Sequence, residues 1–224
     1  MCGRYSLAYQ KTDREYDEYF RQIMEAMPAA SARYNIAPQQ TAPVVRMVAG
    51  TPVCEELRWG FRPNWLDDKN KAQINARSET LFSTRMFRSA ARCLVLATGW
   101  YEWQKVTGGK RPHAFHLEGD PVFAMAGIWT RWKGAEGKNE GYDNYAIITT
   151  AANEVAAPIH NRMPVILTGD AIRAWLENVA SEPADIEELK ELMQPYNGRD
   201  LSAYPVSTYV NSPKNISEKC LEPF

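Results

Sequence analysis

The chain opens Met1-Cys2-Gly3-Arg4-Tyr5, and removal of Met1 leaves a cysteine whose thiol stands beside a free α-amine. A 1,2-aminothiol of this kind condenses with an aldehyde. The amine adds to give an imine, and the thiol then closes onto the same carbon to give a thiazolidine. An internal cysteine lacks the amine and forms no such ring. With an amine pKa of about 8 and a thiol pKa of about 8.5, both nucleophiles are partly deprotonated near neutrality. Position alone favours an ordinary buried strand cysteine, because free cysteines are among the most buried residue types.

Three further clusters carry residue types that can serve such a reaction: Asn75-Ala76-Arg77-Ser78-Glu79, Gly99-Trp100-Tyr101-Glu102-Trp103 and His160-Asn161-Arg162-Met163-Pro164. Asn75 and Glu79 also suit a helix cap, and Arg77 a plain surface charge. Glu102 is flanked by aromatics, and desolvation there raises a carboxyl pKa toward the range useful for acid–base work. Strand alternation can equally turn it outward. His160 follows Pro158-Ile159 in a loop, where a lone histidine is more often hydrogen-bonded structure than catalyst. His113 and His116 lack carboxylate or cysteine company, so no metal chemistry is assigned to them. Cys2, Cys54, Cys93 and Cys220 lie too far apart for a zinc motif or a disulfide framework, and reduced thiols are expected, with no metal and no cofactor.

The elements that must position these residues read as many short strands with a few helices. Gly3 to Ala8 reads as a strand. Thr12 to Glu15 has the form of a capping box, followed by Tyr16, Tyr19, Phe20, Ile23, Met24 and Met27 at helical spacing. Those side chains are read as core. Runs at 43–48 and 53–59 predict a hairpin through Ala49-Gly50-Thr51-Pro52, and further strands are predicted at 93–97, 100–103, 113–117, 122–129, 145–150 and 204–210. A Gly108-Gly109 turn separates two of them. A short helix is expected over 79–83, and Asp170 and Asp185 read as N-caps of two late helices. The glycine-rich stretch 134–141 lacks a phosphate-loop pattern and reads as a connector. This irregular mixture argues α+β, a barrel-like core of mixed or antiparallel sheet flanked by a few helices, rather than repeated βαβ units. Residues 1–224 are expected to form one domain.

Hydrophobic content of 45% with no long apolar run excludes a membrane span, and Arg4, Lys11 and Asp13 make the amino end too polar for a signal peptide. A cytoplasmic, monomeric protein is expected. The net charge of −1 hides an uneven distribution. Between 69 and 92 stand Lys69, Lys71, Arg77, Arg85, Arg88 and Arg92 against Glu79, whereas Glu182, Asp185, Glu187, Glu188 and Glu191 dominate 181–191. A locally basic face is compatible with the neutral total.

Together with Tyr34-Asn35-Ile36-Ala37-Pro38 and Trp59-Gly60, the opening residues and the three clusters resemble, in the same order and over nearly the whole chain, the SRAP family. These are the SOS response-associated peptidases, also called abasic-site processing proteins. The resemblance implies a single α+β domain with a barrel-like core and a positive cleft for single-stranded DNA carrying abasic sites. It implies a covalent thiazolidine cross-link through Cys2 that shields the lesion, with lyase activity and self-removal of Met1 as accompanying activities. By motif position, Cys2 is the nucleophile, Asn75 orients the amine or the lesion, and Glu102 and His160 carry proton transfers. Arg4, Arg77, Arg85 and Arg162 are candidates for phosphate contacts, and Trp65 for stacking on a base. Two other readings compete. One is an N-terminal-nucleophile amidotransferase, which also starts Met-Cys-Gly; the other is a non-catalytic reader of modified or single-stranded DNA.

Overall fold

A computed structural model describes residues 2–9, 16–27, 32–67, 69–119, 122–134, 140–177 and 183–224. In chain order the elements are β1 (Tyr5–Leu7), α1 (Glu18–Ala26), β2 (Arg33–Ile36), β3 (Thr41–Val48), β4 (Thr51–Trp59), β5 (Asn75–Arg77), β6 (Ala91–Ala97), β7 (Gly99–Val106), β8 (Gly109–Leu117), β9 (Phe123–Trp132), β10 (Tyr142–Ala151), β11 (Arg162–Pro164), β12 (Ile166–Leu167), α2 (Asp170–Glu177), α3 (Pro183–Glu191) and β13 (Leu201–Pro205).

Strand β10 organises the larger sheet. It pairs antiparallel with β9 and parallel with the end of β4, which closes β4, β3, β6, β9 and β10 into a ring of strands. The parallel closure spans only Asn144↔Arg58 and Tyr145↔Trp59, so the ring is not a strict barrel. Beyond that point β10 pairs with β5 on one side and β11 on the other. The ring is tight where Gly127 of β9 lies between Cys93 and Ile147: a Cβ there would stand 2.9 Å from the Cys93 sulfur. The predicted β3–β4 hairpin turns through Ala49 and Gly50, both at positive φ, as a two-residue turn matched to strand twist requires.

A second, wholly antiparallel sheet runs β13-β8-β7-β1-β2. Tyr5 joins it to the ring. Its side chain meets Trp59 edge-on at 5.2 Å, and its hydroxyl lies 2.7 Å from that of Tyr145 in β10. On the opposite face of β7, Tyr101 packs with Ala114, Val206, Val210 and Cys220, so the C-terminal segment covers a face that would otherwise be wet.

The helices close the outside. α1 begins with Asp17, whose side chain accepts from the Phe20 amide at 2.9 Å, and buries Phe20 and Ile23. The capping box at 12–15 and most of the connector at 134–141 lie outside the described residues. α2 buries Ile172, Trp175 and Leu176, and the Trp175 indole donates to the Cys93 carbonyl of β6. Three expectations are corrected. Neither late aspartate caps its helix: α2 starts at Asp170 itself, and α3 starts at Pro183, as suits a residue with fixed φ in a first turn, so Asp185 is inside it. The strand expected over 204–210 ends at Pro205, and Thr208–Asn211 is a 3-10 turn capped by Ser207. The helix expected over 79–83 is a 3-10 turn at Ser78–Thr80 that follows β5 directly.

Candidate functional site

Cys2 is fully buried just ahead of β1. The Tyr101 amide donates to the Arg4 carbonyl at 2.9 Å, continuing the β1–β7 pairing toward the amino end and bringing the first residues alongside Glu102. From the other side, Asn75 Nδ2 donates to the Cys2 carbonyl at 2.8 Å. Asn75 is held there by its parallel register with Ile147 of β10. Its Oδ1 is buried with no hydrogen-bond partner among the described residues. Asn75 is thus no helix cap.

Glu102 lies on the core side of β7, the side shared by the stacked rings of Trp100 and Phe115, and is 3% exposed. Burial pushes its carboxyl up to about 7. The Cys2 thiol is pushed far above the ordinary thiol range, first by burial and then by the charge of Glu102, which places carboxylate and thiol within electrostatic reach of each other. The thiol is therefore protonated at rest.

His160 is half-buried at the turn before β11, and its Nδ1 accepts the Arg162 amide at 3.1 Å. That bond fixes the neutral tautomer with the proton on Nε2, and burial holds the pKa below the usual histidine value. The Gln104 side chain of β7 donates to the Pro158 carbonyl at 3.1 Å, tying the His160 loop to the strand that carries Glu102.

Arg162 is buried and committed within the protein. Both terminal guanidinium nitrogens bond the Glu79 carboxylate, and one also reaches the Thr149 carbonyl of β10. Arg162, a candidate for phosphate contact, clamps the Asn75 and His160 segments across β10. The bonds from Arg162 hold Glu79 below the usual carboxylate range. Glu79→Ala strands a buried cation, and with Glu79 itself about half exposed the expected loss is about 1–3 kcal/mol in urea unfolding. Glu79→Gln is expected to restore part of it; equal stability of Glu79→Ala and the parent would show that the clamp carries no load.

Arg4 is half-buried, donating to Asn35 Oδ1 at 2.7 Å and to the Val210 carbonyl at 2.9 Å, with its guanidinium 5.7 Å from the Trp103 ring. Arg77 is exposed, with Glu79 at 3.8 Å. Arg85 lies 5.0 Å over the ring of Trp65, which is 51% exposed, so these two form one surface unit. Two clefts that no sequence pattern indicated open beside the site. One, of about 470 Å³, is lined by Gly3, Arg4, Trp103, Lys110 and Asn211; the other, of about 360 Å³, includes Trp103, Lys105, Lys110 and His160. Lys105 and Lys110 carry no sequence signal, because only the folded hairpin sets them against the His160 loop.

The arrangement offers a buried sulfur, an amide gripping the same residue, a carboxyl titrating near neutrality and a neutral imidazole. Among the described residues no group of three or more His, Cys, Asp or Glu is placed to hold a metal ion, and no helix is long and apolar enough to cross a membrane. The family model described as SOS response associated peptidase (SRAP) matches residues 1–213. The abasic site processing protein YoqW of Bacillus subtilis (strain 168) is 37% identical, with 99% of each chain covered. The abasic site processing protein YedK of Escherichia coli (strain K12) is 30% identical, with both chains fully covered. A crystal structure of a protein from Bacteroides thetaiotaomicron superposes with a TM-score of 0.75 at 26% identity, covering 88% of each chain.

Proposed function

The chain belongs to the SOS response associated peptidase (SRAP) family, and on that premise we propose that it processes abasic sites in single-stranded DNA by capturing them on Cys2. The observation that carries this reading is the convergence of Asn75 and Glu102 on a buried second residue.

In the mature chain, hydrolysis of the Met1–Cys2 bond has freed the α-amine. The ring-opened abasic sugar presents an aldehyde at C1′, and the amine adds to it to form a carbinolamine. Loss of water gives an iminium. The Cys2 sulfur then adds to the same carbon, its thiol proton leaves to a base, and the thiazolidine closes, so that one water is released overall. Because burial keeps the thiol protonated, the amine acts first and ring closure needs a base. Glu102, its carboxyl pushed up to about 7, takes that proton and supplies one for the dehydration. Neutral His160, donating from Nε2, assists opening of the sugar. The unfilled Oδ1 of Asn75 accepts a hydrogen from the Cys2 amine and aims its lone pair at the aldehyde.

Arg77, Arg4 and the Trp65–Arg85 pair hold the flanking strand, the latter by stacking a base on the exposed indole. Residues 1–224 work as one domain, since the site draws on positions from 2 to 160. A monomer suffices, and the reading places the work in the cytoplasm, at the nucleoid if the source is a bacterium. Strand cleavage at the lesion and removal of Met1 by the protein itself are the accompanying activities of this reading.

Intact mass spectrometry of the processed protein, mixed with a strand bearing one abasic site, is expected to show a denaturation-resistant species. Its mass equals protein plus DNA less one water, and an undamaged strand gives none. A chain that retains Met1 is expected to give none either. Salt-sensitive binding of both strands without any mass gain would replace this reading with that of a non-catalytic DNA reader.

A further inference from the structure

The two clefts beside the site adjoin at Trp103 and Lys110, which line both, and together they make a groove with Gly3 and Arg4 at one end and His160 at the other. Its ionisable lining apart from His160 is Arg4, Lys105 and Lys110, with no carboxylate, in a protein whose acids outnumber its bases. Lys105 and Lys110 are direct cross-strand partners. Like charges facing each other on a hairpin are destabilising, and among the described residues neither lysine has an acidic partner. A pair left in that state suits a ligand that supplies the missing negative charge. Gly108, at positive φ, makes the tight turn that joins the two strands, and both lysines line the His160 end of the groove. The charge of Lys110 is felt at His160, which places the rim within electrostatic reach of the reacting end of the groove.

We infer that Lys105 and Lys110 bind backbone phosphates of the single strand on one side of the captured nucleotide, with Trp103 as the groove wall. This rests on the proposed capture of abasic DNA, from which it takes its ligand, but binding of an undamaged strand tests it without the covalent step. The test uses the full chain and a fluorescent undamaged oligonucleotide, with affinity measured across a salt series.

For Lys105→Ala/Lys110→Ala, the slope of log affinity against log salt is expected to fall by about 1.4, the value for two phosphate contacts on a single strand. Lys133→Ala/Lys214→Ala, two exposed lysines outside the groove, is expected to keep the parental slope. In a second arm, abasic strands are shortened from either end. Shortening on one side alone should erase the difference between parent and groove variant. A parental slope in the groove variant, the same fall in the control pair, or equal sensitivity to both ends overturns the inference. A parent that binds strands with the expected slope yet never gains adduct mass refutes the proposed capture and leaves the groove standing. Adduct formation with an unchanged slope in the groove variant removes the groove alone.

Discussion

Cys2→Ala is expected to abolish the denaturation-resistant DNA adduct and to leave strand scission in its place. The variant keeps the α-amine after Met1 is removed, so the imine at C1′ still forms. What it lacks is the second nucleophile on the same residue, and an imine that cannot cyclise either hydrolyses or promotes β-elimination of the 3′ phosphate. The division of labour is sharp because Asn75 grips Cys2 through the backbone carbonyl, a bond that alanine retains. The side chain removed is small, and although fully buried it leaves a modest cavity. Denaturing gels report the adduct and the cleaved strand together, and thermal unfolding confirms that the variant is folded. A durable adduct formed by Cys2→Ala would remove the thiol from the mechanism.

Glu102→Gln is expected to slow adduct formation on the order of 10²- to 10⁴-fold, the usual worth of a positioned acid–base group. The parent's single-turnover rate should bend near pH 7, and the bend should vanish in the variant, because burial puts the Glu102 transition there. Stability should move the opposite way. A carboxyl raised from 4.5 to about 7 on folding binds its proton more tightly in the native state. Its contribution is therefore fully present below pH 4.5 and is lost as pH rises through 7. Above pH 7 the ionised, buried carboxylate costs on the order of 3 kcal/mol at most, from about 1.4 kcal/mol per pKa unit. Glutamine carries no such cost, so the variant should be more stable than the parent in denaturant at pH 8 and show no such advantage at pH 4. A variant that is slow but equally stable at both pH values would mean that Glu102 is ionised throughout and acts only by its charge.

The candidate site residues were the most legible part of the chain, and their surroundings the least. Cys2 stood out because one position in a sequence can carry an amine and a thiol together. Glu102 was ambiguous because alternation assumes one wet face, whereas both faces of β7 are covered, one by the ring and the other by Val206, Val210 and Cys220 from far along the chain. Asn75 and Arg162 sit in strands of three residues, too short for any periodicity, and they become strands only because β10 offers open edges on both sides. The clamp made by Arg162 was not legible because its partners, Glu79 and Thr149, are brought to it by that same strand. Long amphipathic or alternating segments such as α2, β3 and β9 were visible because burial of one face or both leaves its period in the residues themselves.

The placement of β1 also sets a timetable for biosynthesis. Tyr5 finds Ile36 of β2 early, but its second partner is Trp100 and the Cys2 carbonyl is bonded by Asn75, so the amino end gains its full set of partners only when about half of the polypeptide has left the ribosome. During that interval the first residues are open to a processing enzyme travelling with the nascent chain. Once β7 emerges and pairs, access narrows to whatever the folded protein itself can bring to bear.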